Sequence, residues 1–165
     1  MEAKKRILLV DDDIDIITVA ETILRKENYE VASVSGKDEA IAKLKSEKFD
    51  LAILDVMMTT HYEGFEIAAE IFKNPELKNI PFLMQTSIDV LTTTKADVQN
   101  MAREFRKDPN YKDLQVLLVK NINDGTAGID YLTEDGRTVF FQVGGFIRKP
   151  IDATKLLVEV KRLIK

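Results

Sequence analysis

The stretch KKRILLVDDDIDIITVAETIL, residues 4–24, runs four apolar residues, Ile7 to Val10, straight into three consecutive aspartates, Asp11 to Asp13, with Asp15 two positions on. A short continuous apolar run is the pattern of a parallel strand buried on both faces. From Ile14 the period changes, and Ile16, Val19, Ala20, Ile23 and Leu24 recur at helical spacing. A buried strand feeding an amphipathic helix is the opening of a βαβ unit. One acid is enough to cap that helix. Adjacent carboxylates repel one another, so the surplus acids call for a different explanation.

The same alternation continues outward. EVASVS, DLAILDVMM, IPFLMQTS and GGFIRKP read as four further strands. SGKDEAIAKLKSEKF opens a second helix with Ser35 and, three residues later, Asp38, a capping-box-like start. GFEIAAEIFKN is a third helix, ended by Asn74-Pro75, and DATKLLVEVKRLIK a last one capped by Asp152. Alternating βαβα with buried-type strands predicts an α/β fold, a doubly wound parallel sheet with helices on both faces. In such sheets the functional residues collect beyond the C-terminal ends of the strands. Those positions are Asp11–Asp13, Asp55, Thr86 with Ser87, and Lys149.

The rhythm breaks between Ile88 and Val143. A polar helical stretch over about 92–107 is followed by LQVLLV, then by GIDYLT and TVFFQV joined through EDGR. Asp135-Gly136 between apolar-rich runs predicts a hairpin turn. Ile129, Tyr131, Val139 and Phe141 share one face of that hairpin and Phe140 takes the other. Two readings stand level: an arm for a partner or for self-association, and a hairpin packed on its own domain.

Composition narrows the function classes. At 165 residues the chain has room for one domain with a proper core. A net charge of −4 gives no overall attraction to nucleic acid. The absence of cysteine removes disulfides, thiolate metal sites and cysteine nucleophiles. No apolar run is long enough to span a bilayer, so the expected setting is the cytoplasm, without a membrane partner.

Carboxylates gathered at one strand edge must pair with positive charge or take up protons. A hard divalent cation is the natural partner, and Mg2+ takes carboxylate, water and phosphate oxygens. Lys149 is a compact cation suited to a phosphoryl oxygen and Thr86 is a hydroxyl donor. The set therefore points to phosphoryl transfer with a carboxylate nucleophile. Asp55, alone at the end of the central strand, is the best nucleophile, which leaves Asp11 and Asp12 for the metal.

Taken together, ILLVDDD, FDLAILDVMM, IPFLMQTS and GGFIRKP, each at a strand end, resemble the receiver domain of bacterial two-component response regulators, in the CheY-like superfamily. The resemblance spans residues 5–87 and 144–165. It implies a flavodoxin-like five-stranded parallel sheet in the order 2-1-3-4-5. The chain would be a single receiver domain over 1–165, with an inserted helix extension and β-hairpin between strands 4 and 5, at about 88–143. It further implies that Asp11 and Asp12 bind Mg2+, that Asp55 is the phosphoacceptor, and that Met57 lends the metal a backbone carbonyl. Thr86 becomes the switching hydroxyl, Ser87 the small residue giving access to the phosphate, Lys149 the phosphate's partner and Phe146 the aromatic that changes rotamer. The donor is then a sensor histidine kinase or a phosphotransfer protein. The output is a conformational change read through protein contacts by a downstream protein or a homodimer. The expectation is a stand-alone phosphoacceptor signalling domain and not an enzyme with its own substrate, although it catalyses its own phosphorylation and dephosphorylation.

The sequence departs from the family pattern in two places. Thr59 stands where a proline is usual after the third strand, and Gly64 is nine residues past Asp55 instead of eight. The loop holds His61, the only histidine, which reads as an exposed loop residue. Thr86 and Lys149 are 63 positions apart, which is what requires the insertion. Other readings of the acidic run fail on their own terms. A dehalogenase-type phosphatase wants D-x-D-x-T/V, and Asp15 occupies the last position. A calcium loop wants a glycine at Ile16 and a glutamate at Thr22. The remaining alternative is a receiver-like interaction module that works without phosphorylation.

Overall fold

The computed structural model describes residues 3–55, 61–94 and 97–164, with residues 61–65 described by backbone alone. The chain divides into two compact units, Met1–Ser87 with Ile147–Lys165, and Ile88–Phe146.

In the first unit β1 (Arg6–Val10) lies between β2 (Glu30–Val34) and β3 (Leu51–Asp55), β4 (Phe82–Thr86) follows β3, and β9 (Gly145–Arg148) takes the far edge. The order β2-β1-β3-β4-β9 is the predicted 2-1-3-4-5, with β9 in fifth place. β1 pairs in parallel with β2 and with β3, and β3 in parallel with β4. All five residues of β3 and of β4 are buried, the signature of strands covered on both sides. On one face Leu9, Ile53, Leu83 and Ile147 meet Ala20 and Leu24 of α1 (Ile14–Lys26) and Leu156 and Val160 of α5 (Ala153–Leu163). Elsewhere α2 (Lys37–Ser46) is tied to α3 (His61–Lys73) by Lys37 to Glu66 and by Lys45 Nζ to Glu70 Oε1 at 3.4 Å.

Local details refine the helix predictions. Asp13 is the cap of α1, accepting from the Asp15 N–H at 2.9 Å. The inward stripe of α1 is Ile17, Ala20 and Leu24, and Val19, one of the apolar residues at helical spacing, is exposed. Period alone leaves the helix phase open by one residue, and packing against the sheet chooses it. The second helix starts at Gly36 without a side-chain cap, not at Ser35. Asp152 caps α5 as predicted, accepting from the Lys155 N–H at 3.0 Å. Residue 61, read as loop, opens α3.

The second unit is a four-stranded sheet in the order β5-β6-β7-β8, with one helix against it. β5 (Val90–Thr93) runs parallel to β6 (Val116–Asn121), and β7 (Ala127–Leu132) and β8 (Thr138–Val143) add antiparallel strands. The Asp135-Gly136 turn forms as predicted, with Gly136 at φ 85°, a left-handed value that favours glycine. The predicted helix over about 92–107 is shorter: α4 (Val98–Arg106) begins only after β5 and is capped by Asp97. Val90 and Thr92–Thr93 are β-branched and find a parallel partner in β6, which overrides the helical reading of that segment.

Phe140 joins Val98 and Ala102 of α4 with Leu117 and Val119 of β6, while Phe141 meets Tyr131 edge-on across the hairpin. The predicted division of the two phenylalanines between faces therefore holds. The Phe140 ring lies across Gly128, where a Cβ would collide with its tip. Arg106, at the end of α4, donates from Nε to Asp130 Oδ2 at 2.8 Å and also to the carbonyls of Tyr111 and Leu114. Both side chains of this ion pair are largely buried. Burial pushes the Asp130 carboxyl up, against the hydrogen bond and charge of Arg106.

Two substitutions test this packing in urea denaturation followed by circular dichroism. Gly128→Ala must move the Phe140 ring and is expected to cost about 2 kcal/mol, as overpacking does. Asp130→Ala strands a buried guanidinium and is expected to cost about 3 kcal/mol. A loss below about 0.5 kcal/mol in either would contradict the packing described.

Candidate functional site

The strand register builds the site. Val10 pairs with Leu54, so Asp11, the next residue after β1, stands beside Asp55 at the end of β3. Asp55 in turn pairs with Gln85 of β4. The Lys149 N–H donates to the Thr86 carbonyl at 2.8 Å, which fixes the lysine just beyond β9 at the same sheet edge. Residues two apart on a strand face the same side. Leu9, Ile53, Leu83 and Ile147 all belong to the core layer under α1 and α5. Asp11, Asp55, Gln85 and Lys149 each come two residues later, so they continue that layer as a polar end.

Asp11, Asp55 and Thr86 are buried and Asp12 is exposed. One carboxylate oxygen from each of Asp11, Asp12 and Asp55 falls within 4.8 Å of the others. Lys149 Nζ is 3.0 Å from Asp11 Oδ2 and 3.2 Å from Asp55 Oδ2. Asp11 Oδ2 is buried, and its one close polar contact among the described residues is this ion pair. Its other oxygen, Oδ1, accepts from the Asp13 N–H at 2.9 Å. Burial by itself would lower the Lys149 ammonium. The contact with Asp11 and the charges of Asp55 and Asp11 outweigh that and hold it above the ordinary lysine range.

Three carboxylate groups converging at one sheet edge, with a buried Asp11 oxygen that makes no hydrogen bond among the described residues, fit a divalent cation bound by Asp11, Asp12 and Asp55.

The structure thus brings together Asp11, Asp12, Asp55, Thr86 and Lys149. Ser87 is exposed next to Thr86, and Phe146 is half-buried on β9. Met57, the proposed backbone ligand, lies outside the described residues. Sequence reasoning assigned no part to Gln85, which is fully buried beside Asp55. Its signal was present as the one amide within the buried run FLMQT.

Known proteins share sequence and fold with this chain. The model for the response regulator receiver domain matches residues 7–116. The alkaline phosphatase synthesis transcriptional regulatory protein PhoP of Bacillus subtilis is 35% identical over 85 residues, 52% of this chain and 34% of PhoP. A homologue of the transcriptional regulatory protein CpxR from Haemophilus influenzae is 38% identical over 82 residues, 50% of this chain and 34% of that protein. The chain thus spans about a third of the length of these curated relatives. Among solved structures, the chemotaxis response regulator CheY4 of Vibrio cholerae superposes with a TM-score of 0.60 at 22% identity, covering 98% of this chain and 99% of that one. The receiver domain of the sensor histidine kinase PA1611 of Pseudomonas aeruginosa, solved with magnesium in its active site cleft, gives 0.61 at 18% identity and 98% of both chains. At these identities the two structures speak for the fold. With most of its length under the family model, the chain belongs to the response regulator receiver domain family.

Proposed function

We propose that this chain accepts a phosphoryl group on Asp55 from the phosphohistidine of a sensor histidine kinase or a phosphotransfer protein. The observation that carries the reading is Lys149 bridging Asp11 and Asp55 inside a three-carboxylate cluster. An Asp55 carboxylate oxygen attacks phosphorus, the bond from phosphorus to the imidazole nitrogen breaks, and the imidazole leaves with a proton. The products are an aspartyl phosphate and a free histidine. Asp11, Asp12 and Asp55 would hold Mg2+, which when bound offsets the charge of the transferring phosphoryl oxygens. Lys149 would pair with one of those oxygens, a role its contact with Asp55 supports. Thr86, at the end of β4, supplies a hydroxyl that can turn toward the same group.

The chain is by this reading a phosphoacceptor whose own residues promote its phosphorylation. Its output is a shift between two populations of surface, biased by the phosphoryl group. Thr86 and Phe146 are the residues that report the change, and a downstream protein reads it. Membership of the receiver family and the histidine-kinase receiver among its structural relatives support the choice of donor.

Intact mass spectrometry after incubation with acetyl phosphate and Mg2+ is expected to show a gain of one phosphate. The gain disappears in Asp55→Asn and in the presence of a chelator. A wild-type chain that gains nothing, or an Asp55→Asn chain that still does, returns the protein to the phosphorylation-independent alternative. The lifetime of the phosphate provides a separate test. Met57 and Ile88, two residues beyond Asp55 and Thr86, have no group that orients an attacking water. Spontaneous loss is therefore expected over many minutes, and loss within seconds in a time course would contradict it.

A further inference from the structure

The cross-strand row Asp11–Asp55–Gln85 contains two buried acceptor oxygens without a hydrogen bond among the described residues: Asp11 Oδ2 and Gln85 Oε1. The first belongs to the cation cluster. The second has no part in the chemistry described above, although Gln85 is only 1% exposed. A buried amide oxygen with no donor costs stability, and the surrounding positions Leu83 and Ile147 are apolar. A methionine would satisfy the same space without that cost.

The path of Lys149 gives the amide a use. The lysine lies beyond β9, on the outer side of β4, yet its ammonium reaches Asp55 on β3 and Asp11 beyond β1. Its side chain therefore passes over the end of β4 on the face where Gln85 lies. In the described state the ammonium occupies the position of a counter-ion to Asp11. A divalent cation bound by Asp11, Asp12 and Asp55 competes with it for the Asp11 carboxylate. The Lys149 side chain is only 19% exposed, so the displaced ammonium exchanges one acceptor within the site for another. Gln85 Oε1 is the unused buried acceptor of the row that the lysine crosses.

We infer that Gln85 is a positioning residue for Lys149, its amide oxygen receiving the ammonium when a divalent cation takes Asp11, so that the lysine stays beside Asp55 instead of competing with the metal. The inference rests on the proposed phosphoacceptor role, since it assigns a residue that prepares that site for its cation.

The test is Gln85→Met in the full chain, alone and combined with Lys149→Met. Thermal melting is measured without metal, and Mg2+ binding by isothermal titration calorimetry. The metal-free Gln85→Met chain is expected to melt no lower than wild type, because an unsatisfied amide has been removed. Its Mg2+ affinity is expected to fall about tenfold, the order seen when a partner of a metal site is lost. In the Lys149→Met background the same substitution is expected to change the affinity by less than about twofold, as for uncoupled positions. An unchanged affinity with Lys149 intact, an equal loss in both backgrounds, or a lower melting temperature of the metal-free chain each overturns the inference. If wild type binds Mg2+ and takes up phosphate while Gln85→Met binds the metal as wild type does, the role of Gln85 falls and the function stands. If wild type binds no Mg2+, both fall.

Discussion

The repulsion among Asp11, Asp12 and Asp55, offset by Lys149, is the constraint on which the first unit depends. At an effective dielectric of about 20, two carboxylates about 5 Å apart repel by roughly 3 kcal/mol. An ammonium about 3 Å from each attracts by roughly 5 kcal/mol apiece on the same scale. Lys149 thus more than compensates the Asp11–Asp55 pair. The apolar strands hold the acids together in the first place. Each fully buried Ile, Leu or Val of β1 and β3 contributes about 1.5–3 kcal/mol, and Ile7 to Val10 and Leu51 to Leu54 are nearly all fully buried.

Much of this edge could be read before any coordinates. The runs ending in Asp11, Asp55, Thr86 and Lys149 carry strong period signals, and the rule for strand ends in doubly wound sheets turns four distant positions into one place. What could not be read was finer than the period of a helix or the length of a run. Val19 and Ile17 both suit an apolar stripe, and only packing on the sheet turns Ile17 inward. Ser35 makes a plausible cap, yet the chain enters α2 one residue later. Gln85 was passed over because a single amide within an apolar strand changes neither period nor length.

The inserted unit was legible in its turn and in its faces but not as a sheet. Asp135-Gly136 and the alternation of Phe140 with Phe141 are local signals, and both survive in the fold. β5 depends on a parallel partner more than twenty positions away, which no local pattern reveals. The same holds for the Arg106–Asp130 pair, whose residues come from a helix end and a strand that are adjacent only after folding. Gly128 belongs here too. A glycine within a strand weakens it in isolation, and its reason appears only when the Phe140 ring is found lying over it.

Core and site in the first unit are consequences of one register. The alternation that sends Leu9, Ile53, Leu83 and Ile147 into the layer under α1 and α5 sends Asp11, Asp55, Gln85 and Lys149 to its polar end. Slipping one strand by a single residue would turn its apolar side chains out of the layer and its functional residue to the opposite face. A strand cannot therefore lose its place in the site while keeping its place in the core. The geometry of the acids is guarded by the apolar residues two positions before them, so the hydrophobic free energy of the sheet also holds the like charges of the site in place.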